Sequence, residues 1–221
     1  MEKDKKQEIF ENFEVPDPVR IQKSAKLVRR YFNNKIEGLN ILECGVANGG
    51  LTDLFSKESA NCFGIDINPR QISGVKVIQA DLNERFPDFD IKFDVIFAGE
   101  VIEHLFDDDK FIKNCREFLK PNGLLIITTP NLVFGPNRIL MLFGKMPMFA
   151  FAPYHYNIYN KKIIENLIKQ EGFEILKTIS SHILFLTRRN KLGRIFEILG
   201  DIFPSFGAYL IVCARNIENE I

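Results

Sequence analysis

Hydrophobic and polar positions alternate with two different periods along this chain. Short apolar runs of strand length occupy residues 39–43, 61–66, 75–80, 93–98 and 124–129. Between some of these runs, residues 51–59 and 110–120 place apolar side chains at helical spacing. The repeated order of strand, helix and strand predicts an α/β fold in which helices cover a parallel sheet.

The segments before and after these strands differ from them in composition. The first residues are mostly charged, Asp17 and Pro18 have the order of a helix N-cap and first helical position, and the region after residue 130 is rich in Phe and Met. A second apolar and basic insertion, 182–206, separates predicted strands at 173–180 and 208–214. The predicted parts of this single domain, 1–221, are a charged arm (1–16), an N-terminal helix (17–34), a core (36–130), an apolar lid insertion (131–160) and a C-terminal part (161–221).

Charge and composition exclude several classes of protein. The 29 Lys and Arg residues balance 29 Asp and Glu residues, which argues against a broad basic surface for nucleic acid. No apolar run approaches the roughly 18 residues of a membrane span, and the first residues lack the apolar region of a secretory signal. The 4 cysteines form no CxxC pair and there are 3 histidines, so neither a disulfide framework nor a metal site is predicted. These features predict a cytoplasmic protein.

The turn after the first strand, residues 41–50, has the sequence ILECGVANGG. Ligands bind at this turn in doubly wound sheets. Its small residues fit two interpretations, a dinucleotide loop G-x-A-x-x-G ending at Gly50 or an acidic loop E-x-G-x-A-x-G beginning at Glu43. A carboxylate at this position would repel a pyrophosphate on the helix N-terminus and would suit a cationic amine. S-adenosylmethionine has an ammonium and a sulfonium group and no phosphate, so the acidic loop favours it.

Carboxylates also follow the next two strands. Asp66 ends the second strand in GIDIN, where a carboxylate accepts hydrogen bonds from a ribose diol. Asp81 ends the third strand in QADLN, where it can accept a hydrogen bond from an adenine amino group. The fourth strand, FDVIFAGEVIEHL, brings Ala98 and Glu100 to the same edge of the sheet. These strand ends therefore agree on one adenosine-containing ligand.

The motifs ECGVANG, GIDI, ADL and FDVIFAGEVIEHL, followed by LKPNGLLIITTPN, resemble those of class I S-adenosylmethionine-dependent methyltransferases. The resemblance covers residues 36–173 and is to the small-molecule branch that includes ubiquinone-biosynthesis-like enzymes. It implies a Rossmann-like, doubly wound sheet of seven mostly parallel strands with a final antiparallel hairpin. The cofactor-binding residues that it implies are Glu43, Gly45 and Gly49 at the methionine end, Asp66 at the ribose, Ile67, Asp81 and Leu82 at the adenine, and Ala47, Ala98 and Glu100 beside them. Ala47 stands where the family more commonly has glycine.

Acceptor chemistry is predicted at the fourth strand end and in the lid. His104 either accepts a proton from the acceptor as a general base or braces the following helix. Glu103, its neighbour, is expected to face solvent. Asn131, Tyr154 and His155 are predicted to line the acceptor pocket, with YHYNIYN resembling a family segment that opens the next helix.

The predicted reaction is therefore methyl transfer from S-adenosylmethionine, on oxygen, to a small or partly lipidic acceptor. The apolar lid either excludes water from the sulfonium, forms a homodimer face or rests on a membrane as a peripheral contact. A monomer and a homodimer both fit this pattern. Two other functions remain open: a nicotinamide-dependent oxidoreductase, which leaves Glu43 and Asp81 without a role, and a non-catalytic S-adenosylmethionine-binding protein.

Overall fold

Seven strands and six α-helices lie in the part of the chain that the computed structural model describes, residues 18–47, 49–148, 154–183 and 191–217. The strands are β1 (Asn40–Cys44), β2 (Asn61–Asp66), β3 (Val75–Gln79), β4 (Phe93–Gly99), β5 (Leu119–Pro130), β6 (Phe173–Ser180) and β7 (Tyr209–Asn216). The α-helices are α1 (Pro18–Tyr31), α2 (Leu51–Ser56), α3 (Asp108–Phe118), α4 (Gly135–Leu142), α5 (Lys161–Gln170) and α6 (Lys191–Ile202). Short 3-10 helices cover Ile102–His104 and Pro204–Phe206.

The strands form one sheet in the order β3-β2-β1-β4-β5-β7-β6. The first five strands in this order, from β3 across to β5, pair in parallel with their neighbours. Strand β7 pairs antiparallel with both β5 and β6. The predicted α/β class and its seven-stranded, mostly parallel sheet are confirmed, as is the N-terminal helix. Because strand order reverses between β1 and β4, their carboxyl ends border the crevice in which such sheets bind ligands.

Both faces of the sheet are buried because successive strand residues point to opposite sides. In β1, Leu42 packs into the core layer beneath α3 and α5, and Ile41 packs into the layer beneath α1 and α2. Each layer is continuous across the central strands, whose side chains are nearly all inaccessible to solvent. The apolar runs of the sequence therefore become a two-sided core that holds the strand ends in fixed positions.

Two predicted boundaries differ from the observed ones for local reasons. Helix α3 begins earlier than predicted because the Asp107 side chain accepts a hydrogen bond from the Lys110 N–H at 2.8 Å. Strand β5, predicted at 124–129, begins already at Leu119, and its first residues are irregular, since Asn122 has a φ of 60° and the pairing with β4 shifts register after Phe93.

Each predicted insertion contains one α-helix within its described residues. Helix α4 lies in the predicted lid and α6 lies in the second insertion. The charged arm, 1–16, residues 149–153 of the lid and residues 184–190 of the second insertion lie outside the described residues. Within the described ranges, none of the helices combines the length and apolar character that crossing a bilayer requires.

Candidate active site

Glu43 holds the β1 turn against the helix that follows it. Its side chain is 2% exposed, and its carboxylate accepts hydrogen bonds from Leu51 N at 3.1 Å, Thr52 N at 2.8 Å and Thr52 Oγ1 at 2.5 Å. Burial raises the pKa of this carboxyl, and the Thr52 hydrogen bonds oppose that rise. Both oxygens thus serve the N-terminus of α2, and direct contact of Glu43 with the methionine ammonium stays a prediction.

The turn between Glu43 and α2 has a backbone that depends on small residues. Gly45 has a φ of 71°, and a Cβ there would lie 2.5 Å from Cγ2 of Val101. Ala47 is exposed and has a φ of 44°, a conformation that costs an alanine about 1 to 3 kcal/mol. Its N–H donates to Asp66 Oδ2 at 2.8 Å, so the unusual backbone is held by the neighbouring strand end.

Asp66 joins the ends of β1 and β2. Besides Ala47, its other oxygen accepts a hydrogen bond from Asn68 N at 2.9 Å, which also orients the turn after β2. A carboxylate has about four acceptor positions, so these two bonds leave capacity for a ribose hydroxyl. Ile67 follows at the same edge, partly buried, with its carbonyl accepting from Gln79 Nε2 at 3.0 Å.

The loop after β3 is tied to the segment after β4 through a residue that the sequence did not reveal. Asp81 accepts a hydrogen bond from Asn83 N at 2.9 Å, and Leu82 packs on the core. The Asn83 side chain donates to His104 O at 3.2 Å and accepts from Phe106 N at 2.7 Å. Asn83 therefore fixes Asp81 and His104 relative to each other, and only its position in the turn QADLN hinted at this.

A buried cation from α1 reaches the ends of β4 and β5. Arg20, 5% exposed, places Nη1 3.1 Å from Glu100 Oε1 and 2.6 Å from Thr128 Oγ1, whose hydroxyl donates to Glu100. Glu100 lies two residues after the fully buried Ala98, and the backbone of Glu100 has a φ of 57°. Among the described residues, Arg20 Nε is buried without a hydrogen-bond partner. Sequence reasoning missed Arg20 because it lies 108 residues from Thr128 on a separate helix.

Glu103 is buried, and the expectation that it faces solvent is wrong. Its side chain is 1% exposed because the 3-10 helix Ile102–His104 turns it beneath the end of β5, where Thr129 Oγ1 donates to Oε2 at 3.1 Å. Its other oxygen, Oε1, is buried and has no hydrogen-bond partner in the described part of the chain. Burial raises the pKa of Glu103 well above its ordinary value, and the charge of Glu100 raises it further. These effects favour the protonated form of Glu103.

His104 has a defined tautomer. Its Nδ1 lies 2.9 Å from the Tyr154 carbonyl oxygen, which can only accept, so Nδ1 carries the proton and Nε2 is the basic nitrogen. The ring packs edge-on against His155 with 4.7 Å between centroids. Tyr154 reaches His104 through a backbone with a φ of 64°. The structure thus brings together three of the residues predicted for the acceptor side.

Glu103, His104 and His155 form a cluster of metal-ligand side chains. One candidate ligand atom from each lies within 4.8 Å of the other two. Two imidazoles and a carboxylate are a ligand set that divalent transition metals accept, although Glu103 would have to lose its proton. The sequence predicted no metal site and did not indicate this cluster, because residues 103 and 155 lie on separate segments. That this protein works without a metal stays a prediction.

A family model described as a methyltransferase domain matches residues 19–178. The chain belongs to this methyltransferase domain family. A probable S-adenosylmethionine-dependent methyltransferase of Mycolicibacterium smegmatis is 26% identical over 161 residues, which are 70% of this chain and 59% of that relative. A ubiquinone biosynthesis O-methyltransferase of Chelativorans sp. is 37% identical over 105 residues, 43% of this chain and 42% of the relative. The chain thus spans about half the length of these curated relatives.

A solved structure shows the same fold as this methyltransferase domain. It is the Burkholderia thailandensis 1,6-didemethyltoxoflavin-N1-methyltransferase with bound 1,6-didemethyltoxoflavin and S-adenosylhomocysteine. The TM-score is 0.61 at 12% identity, and the match covers 91% of this chain and 80% of that chain. The family and its S-adenosylmethionine-dependent members confirm the predicted resemblance, and with it the predicted cofactor.

On the acceptor side of the methyltransferase domain, the side chain of Asn131 already has hydrogen-bond partners within the protein. Asn131 is fully buried, and its amide donates to Ser205 O at 3.1 Å and Gly207 O at 2.8 Å. These bonds join the end of β5 to the second insertion, and an acceptor contact of Asn131 stays a prediction. Glu103 and His155 both line a cavity of about 10 Å³, close to the volume for one water.

Proposed function

We propose that this chain transfers the methyl group of S-adenosylmethionine to a hydroxyl oxygen of a small or partly lipidic acceptor. The observation that carries the proposal is the fixed tautomer of His104, with Nδ1 bonded to the Tyr154 carbonyl at the same strand edge as Asp66 and Asp81. The similarity to a relative named as a ubiquinone biosynthesis O-methyltransferase supports oxygen as the methylated atom.

The strand-end residues supply complementary groups for the cofactor. Asp66 accepts from the ribose hydroxyls, and Asp81 with Leu82 contacts the adenine. Arg20, ion-paired with Glu100 and with its Nε unsatisfied in the described residues, supplies a cation for the methionine carboxylate. Both carboxylate oxygens of Glu43 accept hydrogen bonds from the N-terminus of α2. We therefore assign Glu43 the role of fixing the conformation of the turn that binds the methionine end.

Catalysis requires alignment and removal of one proton. When bound, S-adenosylmethionine supplies a methyl group that is already activated by the sulfonium. His104 Nε2 accepts the hydroxyl proton as the oxygen forms its new bond to carbon, and the carbon–sulfur electron pair stays on sulfur. The hydrogen bond to Tyr154 stabilises the imidazolium that results. Burial raises the pKa of Glu103 and so favours its protonated form, which would not hold a proton on His104 by its charge.

Ligand binding tests the cofactor part of the proposal. Calorimetric titration should show binding of S-adenosylmethionine and S-adenosylhomocysteine and none of nicotinamide adenine dinucleotide. Binding of the dinucleotide alone would overturn the assignment in favour of the oxidoreductase. Binding of S-adenosylmethionine without methyl transfer to any phenol, catechol or isoprenoid phenol would support the non-catalytic alternative.

A kinetic test addresses His104. With a phenolic acceptor found in that panel, His104→Gln should lower kcat by about 100-fold, in the range of general-base catalysis, with cofactor affinity unchanged. The acid limb of the wild-type pH–rate profile should disappear in the variant. His182→Gln, outside the cluster, is the matched control. An unchanged kcat, or preferential methylation of matched amines, would contradict the proposal. Rate loss on chelation that a divalent transition metal such as Zn²⁺ restores would assign deprotonation to a bound cation.

A further inference from the structure

Large apolar side chains project into solvent from α4 and the residues that follow it. Ile139 is 60% exposed, Leu142 80%, Phe143 73% and Met146 59%. Isolated exposed apolar residues are ordinary, but four within eight positions form a patch. None of them contributes to the strand-end site, so methyl transfer does not account for their exposure.

A second apolar stripe lies along α6. Ile195, Ile198 and Ile202 recur at spacings of three and four residues and are all more than half exposed, and Phe203 extends the stripe. The opposite face of α6 is anchored on the sheet, since Ser180 Oγ donates to Gly200 O at 2.9 Å. The helix is therefore fixed with its apolar stripe outward.

Arg138 connects the two apolar regions into one surface. Its Nη2 donates to Ser205 O at 3.1 Å, and its guanidinium lies 4.2 Å from the centre of the Phe206 ring. Ser205 and Phe206 belong to the 3-10 helix that directly follows α6 and Phe203. We call Ile139, Leu142, Phe143, Ile198, Ile202 and Phe203 the α4–α6 surface.

The charges around the α4–α6 surface are mainly basic. Residues 131–160 contain no Asp or Glu, and Arg138 and Lys145 are exposed among the apolar side chains of α4. Arg194 is exposed on α6. Of the two acids of α6, Glu197 is partly buried and Asp201 pairs with Lys23, whose Nζ lies 2.7 Å from Asp201 Oδ1. An apolar surface edged by cations is complementary to a bilayer interface with anionic headgroups.

We propose that the α4–α6 surface binds peripherally to anionic lipid bilayers. The apolar side chains enter the boundary between headgroups and acyl chains, and Arg138, Lys145 and Arg194 contact phosphate groups. This inference goes beyond methyl transfer, because it concerns where the protein resides and needs neither cofactor nor acceptor. Charge separates it from a contact between two copies, since two basic surfaces of the same kind repel each other.

Vesicle co-sedimentation of the full chain tests the inference. Vesicles of phosphatidylcholine with phosphatidylglycerol should bind the protein at least tenfold more strongly than phosphatidylcholine alone, and salt at about 0.5 M should weaken binding. Leu142→Ser with Phe143→Ser should lower the affinity for anionic vesicles at least tenfold. Ile163→Ser with Leu176→Ser, at exposed apolar positions elsewhere, should leave it unchanged.

Three results would overturn the inference. They are absence of vesicle binding, equal loss in both double variants, and a dimer in light scattering that the 142/143 variant dissociates, which would make a second copy the occupant. Unchanged calorimetric binding of S-adenosylmethionine shows that each variant is folded. Because vesicle binding is measured without turnover, its failure and the failure of the methyltransferase proposal are separate outcomes.

Discussion

The cofactor edge and the acceptor side of this molecule are organised in different ways. At the cofactor edge, Asp66 and Asp81 lie at strand ends and accept hydrogen bonds from loop backbone, Asp66 from Ala47 N and Asp81 from Asn83 N. On the acceptor side, His104 depends on a backbone carbonyl of residue 154, which belongs to another segment. The first region is determined by sheet topology and the second by how the insertions pack. Local sequence therefore describes the cofactor edge better.

The largest expected effect is at Gly45. A methyl group at a φ of 71° would strain the backbone and meet Val101 at 2.5 Å, so Gly45→Ala should weaken S-adenosylmethionine binding more than 100-fold and lower Tm. Calorimetry and thermal unfolding measure both effects. Adding Val101→Ala removes the collision but not the strain and should restore part of the affinity. Wild-type affinity in the single variant would show that cofactor binding does not depend on the backbone of this turn.

A smaller loss is expected at Asp66. Asp66→Ala removes the ribose acceptor and the bond to Ala47, so cofactor affinity should fall about 10- to 100-fold, equivalent to roughly 1.5 to 3 kcal/mol. Asp88→Ala, in an exposed loop, is the control and should bind normally. The measurement is calorimetric affinity for S-adenosylhomocysteine. If both variants bound alike, Asp66 would be a turn residue only.

The smallest effect concerns Glu103 and depends on pH. The pKa of Glu103 is raised in the native state, so the native state holds this proton more tightly than the unfolded state does. The contribution of Glu103 to the free energy of unfolding is therefore complete below the ordinary carboxylate pKa, and it is lost as the pH rises toward the raised pKa. Glu103→Gln should therefore reduce the decline of Tm between about pH 5 and 8 by a few degrees. Some decline should remain, because the pKa of Glu43 is raised in the same direction. Parallel Tm curves for wild type and variant would contradict a raised pKa of buried Glu103.

The sequence predicted the features that depend on period and on neighbouring residues. Alternating apolar runs indicated the strand ends, and the segment YHYNIYN indicated the start of α5, where Asn160 accepts a hydrogen bond from Ile163 N at 3.0 Å. It did not predict Arg20 beside Glu100 or the burial of Glu103. Both depend on contacts between segments distant in the chain, and a charged side chain in an amphipathic pattern is ordinarily exposed. For the same reason the acceptor pocket was only partly foreseen.

The position of β7 in the sheet imposes an order on synthesis. Among the strands of the described residues, β7 comes last in the chain, yet it lies between β5 and β6 and is the one strand there to which β6 is hydrogen-bonded. While the ribosome makes the residues up to 208, the long apolar strand β5 has one open edge, and such edges recruit other strands. A nascent chain therefore passes through a window in which chaperone protection of β5 matters, and this window closes only when Tyr209–Asn216 emerges.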